Sequence, residues 1–340
     1  MHFSSILPPK LYRSLKLVKQ ASDSLKKFDV RHNRLRTLSG IIEANKRYGY
    51  NTDEYFLFHY DSLSDDQRMS FIGDAERQRI SETLNDRKGL DLLSDKWSTY
   101  NKFNNFFQRE ACLLMGGGKS DDYQTFVDLL SKSGELILKP LRGSLGAGIQ
   151  IVSSYGFDSI AIDELLKKYP RGFIAEQLIK QDARMASLHK ESVNTLRIYT
   201  INYNNKVSVL HPLIRVGRGK SIVDNAGGGG IITACDPETG EVYKAVDEWG
   251  HIFEKHPDNG NQLIGFKVPR WEEAYRMAEK LALHMPGVHY AGWDLALTEQ
   301  GWVLVEGNPR AQYLFQISEG KGFRDELRQI LQMYGVHNVV

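Results

Sequence analysis

The chain has little cysteine and no long hydrophobic run. Its two cysteines, Cys112 and Cys235, lie far apart and outside any CxxC or Cys/His pattern, so the sequence predicts neither a disulfide framework nor a zinc site. We expect both to be buried apolar residues. No apolar run approaches the roughly 18 residues that a membrane-spanning helix requires, and the opening MHFSSILPPK lacks a signal-peptide core. These absences predict a cytoplasmic protein.

A strong net charge is also absent. The 340 residues carry a formal charge of +2 at pH 7, which gives no electrostatic signature of a nucleic-acid-binding protein. Charge is uneven only near the start, where nine basic residues accompany two acidic ones: Lys10, Arg13, Lys16, Lys19, Lys26, Lys27, Arg31, Arg34 and Arg36, with Asp23 and Asp29. A basic amphipathic helix there could contact an anionic membrane or a polyanionic acceptor, and a solvated helix face is the alternative.

The distribution of apolar residues predicts an α+β fold. Three- and four-residue spacing up to about residue 107 indicates helices, among them DDQRMSFIGDAERQRISETL at 65–84. Strand-like runs dominate from residue 173 onward, before a helix at 270–285 and a final hairpin. At 41% hydrophobic residues the chain can bury a sizeable core, in two or three closely associated units. Separate blocks of helices and antiparallel strands favour an α+β architecture with a nucleotide between two parts.

A glycine-rich loop separates two apolar strands in ELILKPLRGSLGAGIQIV, residues 135–152. Lys139 ends the first strand, and Gly143, Gly146 and Gly148 lie in the loop. Glycines let backbone N–H groups approach an anion closely, so the loop is typical of a phosphate-binding flap; a plain hairpin loop is the alternative. It is no P-loop, because a strand follows it, and the unrelated GKS at 118–120 has leucine where a P-loop requires its first glycine.

Two carboxylates and an amide stand near the end of the final hairpin. If the Thr-Glu-Gln-Gly turn at 298–301 is centred on Gln300, a symmetric register places Asp294 opposite Glu306, with Asn308 on the same face. Opposed like charges repel unless a cation lies between them. Hard oxygen ligands suit Mg²⁺ or Mn²⁺, which makes a metal site one interpretation and two solvent-exposed acids the other.

Two arginines interrupt apolar strands, Arg197 in NTLRIYTI and Arg215 in HPLIRVGR. An unpaired guanidinium is costly to bury, so each needs an anion, either a phosphate or substrate carboxylate or the acid of a salt bridge. Asp224, Asn225 and the glycines at 227–230 could form an anion-binding loop or a plain hairpin. His189 and His211 are expected to make structural polar contacts.

Together, the flap lysine, Glu176 in the predicted buried strand FIAEQLI, the strand arginines and the terminal D…ExN set resemble the ATP-grasp superfamily, the fold of D-alanyl-D-alanine ligase. DEYFLF, HKESVNTLRIYT, VDNAGGGG and GWDLALTEQGWVLVEGN resemble more closely the sugar-transfer-associated ATP-grasp proteins, found with bacterial surface-polysaccharide genes. The resemblance runs from about residue 45 to 320 and leaves out the first forty residues. It implies a mainly helical region at 1–110, a lid with the flap at 111–182 and an antiparallel-sheet subdomain with the metal site at 183–340.

The resemblance implies a role for each matching residue. Lys139 and Lys96 would bind ATP phosphates. Glu176 would accept a hydrogen bond from the adenine amino group, and the backbone near Leu178 would contact the edge of the adenine ring. The whole implied nucleotide set is Lys96, Lys139, Gly143, Ser144, Gly146, Gly148, Glu176, Gln177 and Leu178. The implied set for Mg²⁺ or Mn²⁺ is Asp294, Glu306 and Asn308.

Three arginines are implied to act on the reacting groups. Arg197 matches an arginine near the γ-phosphate, and Arg310 could orient the acceptor. Some ligases of the superfamily place a catalytic arginine where this chain has Gly292, so Arg197 and Arg215 are the expected substitutes.

The superfamily implies that ATP phosphorylates a carboxylate and that an amine or other nucleophile attacks the acyl phosphate, releasing ADP and phosphate. We therefore expect a ligase acting on a small-molecule or glycan-linked carboxylate, in cell-surface polysaccharide or amino-acid conjugate biosynthesis. The alternatives are a phosphotransferase, or a nucleotide-binding accessory module that docks on a glycosyltransferase complex through the basic N-terminal helix.

Overall fold

The N-terminal region is a set of packed helices. The structure is a computed structural model that describes residues 8–115, 120–143, 146–155, 159–225 and 229–340. The first helices of this range are α1 (Pro9–Lys27), α2 (Arg34–Tyr48), α3 (Glu54–Leu57), α4 (Asp65–Ser70), α5 (Asp74–Leu84), α6 (Arg87–Leu93) and α7 (Lys96–Phe107), with a 3-10 turn at Tyr60–Ser62. Asp95 caps α7 by accepting a hydrogen bond from the Ser98 N–H at 2.9 Å.

The single helix predicted for 65–84 was wrong. Ser64 begins α4 with a capping box, as its sequence neighbourhood indicates, but the backbone turns extended at Phe71 and a second helix, α5, starts after Gly73. Phe71 and Ile72 are both 2% exposed. Burying these two side chains between the helices outweighs the local helical pattern.

A small antiparallel sheet forms the lid. Its strands are β1 (Ala111–Leu114), β2 (Glu135–Pro140), β3 (Gln150–Ser153) and β4 (Phe173–Gln177), in the order β1-β4-β2-β3. Helices α8 (Ser120–Ser133) and α9 (Ser159–Lys168) contribute buried apolar side chains to the core that covers the sheet. Gly134, with φ of 77°, ends α8 as expected.

A six-stranded antiparallel sheet forms the second part. Its strands are β5 (Thr195–Tyr203), β6 (Lys206–Val216), β7 (Ile231–Cys235), β8 (Val242–Asp247), β9 (Tyr290–Thr298) and β10 (Gly301–Asn308), in the order β10-β9-β5-β6-β7-β8. Around it lie α10 (Ala183–Ala186), α11 (Trp271–Leu283), a π-helix at Gln316–Gly320 and α12 (Arg324–Met333).

Both faces of the large sheet are covered. Ile198 faces the core that includes α11, and its neighbour Tyr199 faces an aromatic core with Phe315 and α12. β5 is buried along almost its whole length, so its sequence lacks the regular alternation of apolar and polar residues that a strand with one solvated face shows. The polar side chains within such strands must therefore find partners inside the protein.

The predicted α+β class is confirmed. The four-stranded sheet lies wholly within 111–182 and the six-stranded sheet within 183–340, while the domain boundaries themselves stay a prediction. Cys112 and Cys235 are buried free thiols, as expected. Within the described residues, no helix is long and apolar enough to cross a bilayer.

Candidate active site

A deep cleft separates the two sheets. Its volume is roughly 1370 Å³, and its walls come from the lid, the large sheet and the N-terminal helices. Of the described residues that were predicted for the site, all but one line the cleft: Lys96, Lys139, Gly143, Gly146, Glu176, Gln177, Leu178, Arg197, Arg215, Asp294, Glu306, Asn308 and Arg310. Gly148 lies in the flap nearby, and Ser144 lies outside the described residues.

Lys139 and Glu176 meet on the lid. Strand β2 pairs with β4 so that Ile137 lies opposite Glu176, and Lys139 is two residues further along the same face. The Lys139 Nζ lies 2.9 Å from the Glu176 Oε1, and both side chains are buried. Burial lowers the pKa of Lys139, the Glu176 carboxylate only partly offsets this, and the nearby charge of Arg109 lowers the pKa further. This lysine stands at the lid side of the cleft, where a flap lysine would meet phosphate.

Two cations hold Glu176 in this structure. Its Oε2 accepts a hydrogen bond from the Arg109 Nε at 2.8 Å, so cations hold both carboxylate oxygens. Burial would raise the pKa of Glu176, but the charges of Arg109 and Lys139 outweigh it and lower this pKa to about 2. The carboxylate therefore positions Lys139 in this structure. A contact with an adenine amino group would have to be additional, and it stays a prediction.

Arg109 joins the lid to the final hairpin. Besides Glu176, its guanidinium donates to the backbone oxygens of Leu304 at 2.7 Å and Phe107 at 3.1 Å. Five N–H donors in a fixed planar fork allow one arginine to make all of these contacts. Sequence reasoning missed Arg109, because it follows α7 outside any strand or motif and only the tertiary fold shows its partners.

The flap glycines adopt backbone conformations that other residues rarely take. Gly146 has φ of 69° and Gly148 has φ of 76°. A Cβ on Gly146 would lie 3.0 Å from the Val223 Cγ2, so the flap leans against the loop that leaves β6. Lys96 touches the flap as well, because its Nζ donates to the Gly143 carbonyl oxygen at 3.1 Å.

At the end of β4, the Gln177 side chain makes hydrogen bonds within the lid. Its side chain accepts from the Glu110 N–H at 3.0 Å and donates to the Ser133 Oγ at 3.1 Å. These bonds tie it to the lid, so its assignment to the nucleotide rests on the backbone alone. Leu178 follows directly and lines the cleft.

Asp294 and Glu306 lie opposite each other in the hairpin, as predicted, although the predicted turn was wrong. Thr298 pairs with Gly301, which makes a two-residue turn, and that register would place Val305 opposite Asp294. A β-bulge at Val305 shifts the ladder by one residue and brings Glu306 to that position. Without the bulge, Glu306 would point to the other face of the sheet.

Buried salt bridges hold Asp294. Strand β5 places Arg197 directly opposite Asp294, and the Arg197 Nη2 donates to the Asp294 Oδ2 at 2.7 Å. Arg215 donates to the same oxygen at 3.2 Å and pairs with Asp224 as well. Burial would raise the pKa of Asp294, but the two guanidinium groups hold it below its ordinary value. In this structure both strand arginines therefore have carboxylate partners, one of the two alternatives open from the sequence.

The remaining predicted metal ligands complete this side of the cleft. Glu306 is about one-third exposed, and its Oε1 lies 3.3 Å from the Lys96 Nζ. The Asn308 amide donates to the Asp294 Oδ2 at 3.4 Å. Across the part of the chain that the structure describes, no three His, Cys, Asp or Glu side chains cluster as a metal cage would need. Two carboxylates and an amide do fit Mg²⁺, which usually keeps waters and substrate phosphates as its other ligands.

The predicted acceptor residue, Arg310, lies further along the cleft. Its Nη2 is 3.3 Å from the Glu82 Oε1, and its carbonyl oxygen accepts from Arg77. This end of the cleft is lined by helices that sequence reasoning did not assign to the site. Among them, Glu54 accepts from two backbone N–H groups, and burial raises its pKa to about 7.

The two histidines make structural contacts. His189 lies 2.8 Å from the Ser192 Oγ and 3.0 Å from the Gly219 carbonyl oxygen. His211 stacks on Phe315, and its Nδ1 is 2.8 Å from the Glu319 Oε1. Among the described residues that line the cleft there is no histidine.

The chain is weakly similar to several proteins of known structure. No curated protein is significantly similar to the chain. Among solved structures, an ADP complex of N5-carboxyaminoimidazole ribonucleotide synthetase is 11% identical, with a TM-score of 0.41, and 66% of this chain aligns with 46% of that one. ATP-grasp ligase PsnB, complexed with a phosphomimetic variant of minimal precursor, Mg and ADP, is 12% identical, with a TM-score of 0.46 and coverages of 74% and 62%.

A third structure, D-alanyl-alanine synthetase A from Vibrio cholerae, is 14% identical, with a TM-score of 0.45, and 74% of this chain aligns with 67% of that one. The chain thus spans about half to two thirds of the length of these proteins.

The sequence match to a protein family covers most of the chain. The model of the sugar-transfer associated ATP-grasp proteins matches residues 75–332, well over half of the chain. The matched range contains the lid, the flap and the hairpin with Asp294 and Glu306. The chain belongs to the sugar-transfer-associated ATP-grasp family.

Proposed function

We propose that the chain is an ATP-dependent ligase that activates a carboxylate by phosphorylation and joins it to an amine or other nucleophile. One observation carries the proposal. Lys139 beneath the flap, Lys96 beside it and the Asp294–Glu306 pair line a single cleft between two sheets. Phosphoryl transfer depends on positioning and on neutralising charge, and this cleft supplies both without a protein nucleophile.

The chain's own residues would bind and orient the nucleotide. Lys139, held by Glu176, presents a fixed ammonium group to phosphate oxygens. Lys96 already donates to the Gly143 carbonyl oxygen of the flap. It would therefore bind a phosphate and at the same time hold the flap over it. Glycines 146 and 148 allow the flap backbone to approach an anion.

Asp294, Glu306 and Asn308 would hold Mg²⁺, whose charge would offset that of the phosphates. In the structure as it stands, Arg197 and Arg215 neutralise Asp294. Sharing Asp294 with a cation would leave these guanidinium groups with donors for a phosphate or a substrate carboxylate. The arginines thus keep a buried acid paired before the ligands arrive.

The bond changes follow from this arrangement. A substrate carboxylate oxygen takes the γ-phosphoryl group of ATP, and ADP leaves. The nucleophile then attacks the acyl carbon, phosphate departs, and the amine loses a proton. We place the second substrate at the far end of the cleft, near Arg310, where the walls come from the N-terminal helices. The substrates would belong to cell-surface polysaccharide or amino-acid conjugate biosynthesis.

The test is turnover of ATP and Mg²⁺ with pooled amino acids and uronic acids, with hydroxylamine added to trap an acyl phosphate. ADP together with a hydroxamate is the expected result and would identify the acid. A stable phosphorylated product without a hydroxamate would indicate a phosphotransferase instead. ATP binding without turnover on any acid would favour the accessory-module alternative.

A matched pair of variants tests the metal assignment. Glu306→Gln should abolish turnover and leave the fold intact, because Glu306 is partly exposed and its loss breaks only the contact with Lys96. Glu299→Gln, in the exposed turn of the same hairpin, should keep full activity. Full activity in the Glu306 variant would contradict the metal assignment.

A further inference from the structure

The first half of α1 carries apolar side chains that the described structure leaves about half exposed. Leu11, Val18 and Leu25 are seven residues apart, so they lie on one side of the helix. Leu25 is 4% exposed in the core with α2, whereas Val18 is 42% and Leu11 47% exposed. Leu15, beside them, is 52% exposed. The apolar side of α1 is therefore buried against the protein at its C-terminal end and about half exposed at its N-terminal end.

Basic residues accompany this half-exposed stripe, which consists of Leu11, Leu15 and Val18. Arg13, Lys16 and Lys19 are all exposed on the same turns. The first acidic residue of the chain is Asp23, beyond the stripe. Tyr12, 43% exposed, adds an aromatic ring with a polar end. This half of the helix therefore combines half-exposed apolar side chains with positive charge only.

The stripe lies outside the catalytic apparatus shared by the family. The family match begins at residue 75, well after α1 ends. Further along the same helix, however, Gln20 and Lys27 line the catalytic cleft. A partner that covers the stripe would therefore contact the same helix that forms part of the cleft wall.

We infer that the first half of α1 docks on the surface of an anionic lipid bilayer. Apolar side chains of such a helix enter the interface, while lysine and arginine side chains extend to the lipid headgroups. Charge decides between occupants, because a second copy packed stripe against stripe would bring three cations of each helix together with no acidic side chain of the stripe to pair them. An anionic surface instead complements all three.

The test is co-sedimentation of the full chain with vesicles of phosphatidylcholine alone and with about a third phosphatidylglycerol. We expect binding to the anionic vesicles only, and weaker binding at high salt. Arg13→Gln/Lys16→Gln/Lys19→Gln should lower the partition coefficient on the order of a hundredfold, at roughly fivefold per cation. Lys102→Gln/Lys255→Gln/Lys280→Gln, which removes equal charge from exposed sites elsewhere, should bind as the wild type does.

A second variant separates burial of the stripe from charge alone. Leu11→Gln/Leu15→Gln/Val18→Gln should lose binding by about tenfold or more, with an unchanged far-ultraviolet spectrum and ATP turnover. The proposal is overturned if wild-type protein ignores anionic vesicles. It is equally overturned if the wild type is a dimer that this variant makes monomeric, or if vesicle binding appears only after residues 1–7 are removed, which would assign the stripe to that segment.

Discussion

Arg197 on β5 lies directly opposite Asp294 on β9, and the two side chains form a salt bridge within a sheet that is covered on both faces. Removing one partner of a buried pair leaves the other charge uncompensated. Asp294→Asn should therefore lower the free energy of unfolding by about 3 kcal/mol. Glu306→Gln, across the same hairpin, should cost less than about 1 kcal/mol because Glu306 is partly exposed.

Urea denaturation of both variants measures this difference. The double variant Arg197→Met/Asp294→Asn should recover part of the loss, because it removes both charges together. If the double variant loses as much free energy of unfolding as the two single variants do in sum, the two buried charges do not stabilise each other and the prediction is wrong.

Arg109 should couple the lid to the hairpin. Arg109→Lys keeps a positive charge but loses the fork that reaches both Glu176 and the Leu304 carbonyl oxygen. We expect weaker ATP binding by about tenfold, or about 1.4 kcal/mol, since Lys139 loses its fixed partner geometry. Calorimetric titration with ATP measures it, and Arg184→Gln, which breaks an exposed ion pair, serves as the control. Unchanged ATP affinity would mean that Arg109 contributes to folding alone.

Substitution of Gly146 should be harmful for two reasons that can be separated experimentally. Alanine there meets both the positive φ and the contact with Val223. Gly260 has a similar φ of 73° with open space around its Cβ position, so Gly260→Ala measures the backbone strain alone, about 1 kcal/mol. Gly146→Ala should also lower kcat/KM for ATP about tenfold, because the flap can no longer lie against its neighbour.

Thermal unfolding and steady-state kinetics on both glycine variants distinguish the two effects. Adding Val223→Ala to Gly146→Ala should restore part of kcat/KM without restoring stability. If Gly260→Ala impairs kinetics equally, the flap contact is not the cause.

His211 should make stability depend on pH. Burial lowers its pKa, but Glu319 and Glu326 outweigh burial and raise it to about 9. Because the folded pKa exceeds the ordinary value of about 6.5, the protonated ring stabilises the fold fully below that value, and this contribution is lost as the pH rises through about 9. His211→Gln should therefore lower Tm at about pH 6, and the difference from wild type should shrink by about pH 10. An equal difference at both pH values would contradict the assignment.

Local patterns predicted more of the fold than of the site's contacts. The strands, the flap and the α+β class follow from periodicity and glycine placement, which are local properties. The partner of Arg197 is not local, because it depends on β5 pairing with β9 across almost a hundred residues. The sequence therefore indicated that Arg197 needs an anion but left open whether this anion is a phosphate, a substrate carboxylate or the acid of a salt bridge.

The contacts of single residues that stand outside a sequence pattern could not be predicted for the same reason. Arg109 stands in no repeat, and the boundary at Gly73 depends on burial of Phe71 and Ile72. Asp294 and Glu306 were paired correctly from an assumed three-residue turn, although the chain reaches that pairing by a shorter turn and a bulge.

The bulge at Val305 gives the hairpin an unequal tolerance for changes in chain length. If Val305 were deleted, Glu306 would follow Leu304 directly and a regular ladder would still place it opposite Asp294. With one residue added at the same point, Glu306 would lie opposite Trp293 on the other face if the bulge stayed, or opposite Gly292 in a regular ladder, and only a second bulge would return it to Asp294. Loss of one residue thus preserves the facing carboxylates where gain of one does not, so relatives that lack the bulge should be shorter here by one residue and keep both acids.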